Sequence, residues 1–142
     1  MAGPRDIRRC ALQALYQLDV GNADEATIRE SLAGSPGETK THQKGFELAL
    51  EAWGQHEQAD AVVRDLAPDW PTYRQPVIDR CILRLAYFEM VTNRAPPKVV
   101  INEAVELAKE FSTDKSAKFV NGVLDKIYRS LREASENPAE AS

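Results

Sequence analysis

Residues 96–127, PPKVVINEAVELAKEFSTDKSAKFVNGVLDKI, read as two helices joined by a tight connection. Pro96 and Pro97 cannot occupy a helix interior, so the first helix starts near Lys98. Val100, Ala104, Leu107, Ala108 and Phe111 recur at helical spacing and form its buried stripe. Thr113 or Asp114 caps the second helix by accepting a hydrogen bond from a first-turn backbone N–H. Phe119, Val120, Val123, Leu124, Ile127 and Leu131 form the stripe of that helix. Lys115, Lys118, Gly122, Lys126 and Arg129 fall at i, i+3, i+7, i+11 and i+14, which puts them roughly on one face. A cationic face with a glycine at its centre lets a phosphate backbone approach closely. The solvated face of an ordinary surface helix has the same spacing.

Working outward from this pair, residues 75–91 are apolar on most sides, through Val77, Ile78, Cys81, Ile82, Leu85, Ala86 and Met90. Such a helix belongs at the centre of the fold. Arg80 and Arg84 on it require partners, because an unpaired buried charge costs several kcal/mol. The segment Ala67-Pro68-Asp69-Trp70-Pro71 is a rigid linker and a subdomain boundary. Before it, helices are expected at about 5–19, 24–32, 41–53 and 55–66, with a loop tip at Gly34-Ser35-Pro36-Gly37. The first of these turns Ile7, Ala11, Ala14, Leu15 and Leu18 inward. Arg5, Arg9, Leu12 and Tyr16 fall on the opposite side, beside Arg8. No stretch alternates like a strand. The fold class is therefore all-α, a compact bundle of about seven helices.

At 142 residues the chain buries enough surface to fold without disulfides or metal. Cys10 and Cys81 lie among apolar residues and read as free thiols of a reducing compartment. No apolar run reaches the ~20 residues of a membrane span, and no signal peptide precedes the first helix. These features point to the cytoplasm. The net charge is −4, but residues 1–18 and 98–132 each carry +2, whereas residues 19–65 carry −6. A fold that sets the first helix beside the last would merge the basic regions into one patch.

The search for chemistry finds no catalytic constellation, no metal motif and no phosphate loop. His42 and His56 stand apart from any nucleophile or metal-ligand pattern. Glu103, Glu106 and Glu110 form an acidic strip at i, i+3 and i+7, read as solvated. No cofactor is expected. What remains is binding. Arginine forks match phosphates, and a tyrosine ring such as Tyr16 stacks on unpaired bases.

Three ordered words carry a family resemblance: P-x-K-V from Pro96, INEAVELAKEF from Ile101 and KSAKFVNGVLD from Lys115. IRRCALQALYQLD from Ile7 and IDRCILRLAYFEM from Ile78 agree with them. Together they resemble the NusB family of antitermination factors, which bind leader RNA of ribosomal operons. The resemblance covers about half of the chain and is weak over residues 20–76. It implies two small helical subdomains, about 1–67 and 74–133, in a single RNA-binding domain. Residues 134–142 then form a disordered acidic tail. It implies boxA-type single-stranded RNA as ligand and NusE, a small-subunit ribosomal protein, as partner within the RNA polymerase antitermination complex. Some members are dimers, which leaves a homodimer open. The residues expected at the RNA are Arg5, Arg8, Arg9, Tyr16, Lys115, Lys118, Asn121 and Gly122. Phe119 reads mainly as core, and Asn121 equally as a structural hydrogen-bonder. The family's N-terminal arginine run is denser than Arg5, Arg8 and Arg9, so fewer phosphate contacts are expected here. Two alternatives stand beside this reading. One is a helical protein-interaction module whose acidic middle is the working surface. The other is a stand-alone relative of the RNA-positioning domain of ribosomal-RNA cytosine methyltransferases.

Overall fold

The computed structural model describes residues 3–21 and 24–136. Seven α-helices make up the described chain: α1 Pro4–Val20, α2 Glu25–Ala33, α3 Thr39–Trp53, α4 His56–Leu66, α5 Val77–Val91, α6 Pro97–Phe111 and α7 Asp114–Glu136. A single 3-10 turn, Thr72–Arg74, precedes α5. No strand occurs among the described residues.

Local chemistry sets the helix ends. Pro4 and Pro97 sit in the first turns of α1 and α6, where a missing N–H leaves no intrahelical bond unmade. Asp24 caps α2 by accepting from the Thr27 N–H at 2.8 Å, and that bond holds its carboxyl below the usual range. Thr113, rather than Asp114, caps α7, accepting from the Ser116 N–H at 3.0 Å. Gly21 ends α1 in the left-handed region at φ 74°, a conformation only glycine adopts without strain. At its other end α7 continues to Glu136, beyond the expected start of the acidic tail. Residues 137–142 lie outside the described residues.

As its apolar surround requires, α5 is the hub. It packs against α1, α3, α4, α6 and α7, and Cys81, Ile82, Leu83, Leu85, Ala86, Phe88 and Met90 are all buried. Its polar residues are paired in turn. Arg80 and Arg84 both bond Asp19 of α1. Arg84 also forks onto Asp60 of α4 at 2.9 and 2.8 Å. The Asp79 carboxylate accepts from the Ser116 hydroxyl of α7 at 2.6 Å. Cys10 and Cys81 are free and buried, and burial pushes the Cys81 thiol up to about 12. A thiol held protonated in this way is a poor nucleophile.

Two apolar assignments differ from expectation. Phe111 and Leu131 continue the stripes of α6 and α7 but are 45% and 36% exposed. Phe111 ends α6 in the wall of an open groove beside Leu12, Tyr16 and Ile78. Conversely, Leu12 is buried although it was expected on the outer face of α1.

Gly45 marks the crossing of α1 and α3. A Cβ at this position would lie 2.4 Å from the Cys10 Cβ and 3.0 Å from the Ile7 carbonyl oxygen. Gly45→Ala is therefore expected to lower stability by about 1–3 kcal/mol through overpacking. A urea denaturation curve would show it as a lower midpoint at unchanged slope. A loss under about 0.5 kcal/mol would mean that α1 and α3 separate freely.

Candidate nucleic-acid interface

The three arginines of α1 have three different fates. Arg8 is 7% exposed, and its guanidinium bonds Glu89 of α5 through Nε and Nη2 at 2.9–3.2 Å. This corrects the expectation of a solvent-facing Arg8: it lies one step from the core stripe, and its fork is fully used inside the protein. Arg5 is exposed and donates from Nε and Nη2 to the two oxygens of Glu103, both at 2.9 Å. Arg9 donates from Nε to both oxygens of Glu110 at 3.1 Å and from Nη1 to Asp6 at 3.0 Å. The hydrogen bond to Glu103 holds the Arg5 guanidinium above its usual value, and the bond to Glu110 does the same for Arg9. In return, Arg5 holds the Glu103 carboxyl below the usual range.

These pairs also correct the reading of Glu103, Glu106 and Glu110 as merely solvated. Two of the three are bonded to α1, and Glu106 approaches Lys109 at 3.7 Å. They also set an acidic edge of α6 against the N-terminal arginines, so the two basic regions do not merge into one patch. Meanwhile α7 packs on the other side of the hub, against α6, α5 and α4.

The basic face of α7 divides in two. Lys115 holds its Nζ 5.9 Å above the ring of Trp70, and Trp70 meets Phe119 at 4.8 Å between ring centroids. Phe119 is half-buried, with its inner side against the core. Lys118 and Asn121 turn instead into a groove of about 670 Å³ between α6 and α7, with Lys98, Asn102, Lys109 and Tyr128 on its walls. Gly122 lies open at the surface, and an added Cβ would meet nothing within 4 Å. Lys126 donates to the Leu66 carbonyl at 3.3 Å, and Arg129 pairs with Asp125 at 2.9 Å.

Tyr16 is 40% exposed but stands elsewhere. With Leu12, Ile78, Phe111 and the loop at Pro36 it walls an apolar groove of about 890 Å³, whose rim carries Arg9 and Glu110. The sequence reading missed Trp70, placed in a linker, and Phe111, placed in the core. It also missed Lys98, Asn102 and Lys109. The i, i+4 spacing of Lys98 and Asn102 is a helical-face signal, but it has meaning only once α7 is known to lie alongside. The histidine rings are engaged locally: His42 Nε2 donates to the Pro36 carbonyl at 3.2 Å and His56 Nδ1 to the Trp53 carbonyl at 2.6 Å. Among the described residues no cluster of His, Cys, Asp and Glu is placed to hold a metal ion. No described helix is long and apolar enough to cross a membrane.

Comparison with known proteins places this geometry. The model of the NusB family matches residues 5–129. Transcription antitermination protein NusB of Chloroflexus aggregans is 36% identical over 137 residues, covering 92% of this chain and 91% of that protein. The structure of T. maritima NusB superposes with a TM-score of 0.75 at 28% identity, covering 91% of this chain and 93% of that one. NusB crystallised with NusE and double-stranded RNA superposes with a TM-score of 0.73 at 25% identity, covering 89% and 96%. A match that runs through both basic helices and the hub between them is a match of the whole fold, and this chain belongs to the NusB family.

Proposed function

We propose that this protein is a transcription antitermination factor that binds boxA-type RNA of ribosomal operons together with NusE. The observation that carries the reading is the exposed edge of α7. There Lys115 lies over Trp70, which packs on Phe119, while Lys118 and Asn121 of the same helix line the groove against α6. Ammonium groups suit phosphates, an aromatic edge suits an unstacked base, and amides suit base edges. That combination fits an RNA with unpaired nucleotides better than a duplex, whose bases are already stacked. The protein makes and breaks no bond. It acts in the cytoplasm by assembling RNA, NusE and the RNA polymerase antitermination complex. NusE takes the apolar groove of Tyr16 and Phe111, because two exposed aromatic rings in a concave wall suit a protein anchor. Arg9 lines this groove and, with Lys109, the cleft beside it, and Lys109 in turn lines the groove of Lys118 and Asn121.

Fluorescent boxA RNA titrated with the protein, with and without NusE and at two salt concentrations, tests this directly. Lys118→Glu is expected to weaken binding across RNA sequences and to lower the salt slope by about one. Phe119→Leu is expected to cost about 1–3 kcal/mol of affinity. Tyr16→Ala is expected to abolish the gain from NusE while leaving binding of RNA alone intact. Absence of binding under all conditions would overturn the reading in favour of a protein-interaction module.

A further inference from the structure

We infer that the Glu103–Glu110 edge of α6 is a built-in competitor for RNA, occupying the forks of Arg5 and Arg9 until phosphates displace it. This rests on the RNA-binding reading above and concerns how that surface is regulated. A carboxylate and a phosphate offer an arginine fork the same thing, two oxygens in one plane. Glu103 uses both the Nε and Nη2 donors of Arg5, the pair of donors that would grip a phosphate. Glu110 takes Nε of Arg9 with both its oxygens, while Asp6 takes Nη1.

Exposure separates these pairs from a structural one on the same helix. The side chains of Arg8 and Glu89 are 9% and 6% exposed, beyond the reach of a ligand. Those of Arg9 and Glu110 are 38% and 42% exposed; that of Arg5 is 49% exposed and that of its partner Glu103 is 15% exposed, so a ligand reaches this second pair from the arginine side. A pair exposed on both sides, as Arg9–Glu110 is, is weak and screened by salt, so a phosphate strand exchanges for it most readily; at Arg5 the strand approaches the exposed guanidinium. The carboxylates cannot withdraw far, because Val100, Ala104, Leu107 and Ala108 bury the adjoining face of α6 and fix the helix in place. Each carboxylate therefore competes in the free protein and repels phosphate in the complex. After exchange it attracts a cation, which offsets the counterion released from the RNA. The edge thus lowers both the affinity and the salt dependence that Arg5 and Arg9 would otherwise confer.

The test titrates fluorescent boxA RNA into the full chain at two salt concentrations. It compares the parent with Glu103→Gln, Glu110→Gln, the double variant and Glu106→Gln. Glu106 lies on the same edge and pairs with Lys109 at 3.7 Å but holds neither arginine fork, so it reports the removal of one negative charge from this edge without release of a fork. Each of the two competitor variants is expected to bind about two- to fivefold tighter than the parent. The double variant should also show a salt slope steeper by about one to two. Glu106→Gln, which frees only the longer contact to Lys109, should gain less than either, with a smaller change of slope than the double variant. Equal gains in all three single variants, or weaker binding by Glu103→Gln and Glu110→Gln, would overturn the inference and leave the RNA reading standing. No binding by the parent or any variant would overturn both.

Discussion

Replacing Arg84 with methionine is expected to lower stability by about 3–5 kcal/mol, a large part of the margin of a domain this size. Burial works against the Arg84 charge, but the carboxylates of Asp60 and Asp19 outweigh it and hold the guanidinium above its usual value. Methionine fills much of the same space but leaves Asp60 without its fork and Asp19 with Arg80 alone. The loss has a signature in pH. The hydrogen bond from Arg80, reinforced by Arg84, keeps the Asp19 carboxyl below its usual range against the opposing effect of burial. A carboxyl depressed in the folded state contributes stability that is present above its unfolded pKa, near 4. That contribution is lost as pH falls through the lower folded value. The parent should therefore lose stability on acidification below about pH 4, and Arg84→Met should lose less of it. Urea midpoints at neutral and acid pH measure both effects. A variant within about 1 kcal/mol of the parent at neutral pH would show that α1, α4 and α5 are held together without this cluster.

Arg8→Met is expected to cost about 3–5 kcal/mol of stability and to leave the RNA affinity of the folded protein unchanged. Glu89 is buried and would lose all three of its hydrogen bonds to Arg8. Uncompensated charge is the cause, so the double variant Arg8→Met/Glu89→Met should recover most of the loss. Thermal or urea unfolding checks the stability, and RNA titration well below the transition checks the affinity. Weaker RNA binding at undiminished stability would return Arg8 to the interface. The contrast with Arg5 and Arg9 makes this position decisive: three arginines within one helical turn and a half look alike in sequence, but Arg8 faces the core and Arg5 and Arg9 pair with carboxylates outside it.

That difference explains which parts of the protein were legible beforehand. Periodicity finds helices because it records which side of each is apolar, and it was enough to identify α5 as the hub. Proline, glycine and capping residues placed both ends of α1 and the starts of α6 and α7 to within a residue or two, but not the C-terminal end of α7. What periodicity lacks is the identity of the neighbour. Arg8 is buried because Glu89 waits on α5, 81 residues away, and Glu103 is bonded because Arg5 lies 98 residues earlier. Gly45 is required only because α1 crosses α3 at that point. Phe111 and Leu131 satisfy the helical pattern but are left 45% and 36% exposed, Phe111 in the wall of an open groove beside α1. The family words supplied Lys115, Lys118 and Asn121 as candidates and left Phe119 mainly to the core. They could not separate Lys115 over Trp70 from Lys118 in the groove, because that division depends on which flank each residue of α7 presents.

Withdrawal of Arg8 and neutralisation of Arg5 and Arg9 also have a kinetic consequence. Steering of a polyanion from a distance depends on unpaired positive charge, and the chain as a whole carries −4. The N-terminal face of the free protein exerts almost no such pull. Under the RNA-binding reading, first encounter belongs to the lysines along α7, at an association rate nearer the unsteered value of about 10⁵–10⁶ M⁻¹s⁻¹ than the diffusion limit. Arg5 and Arg9 engage afterwards, once their carboxylates are displaced, and determine how long the RNA stays rather than how fast it arrives.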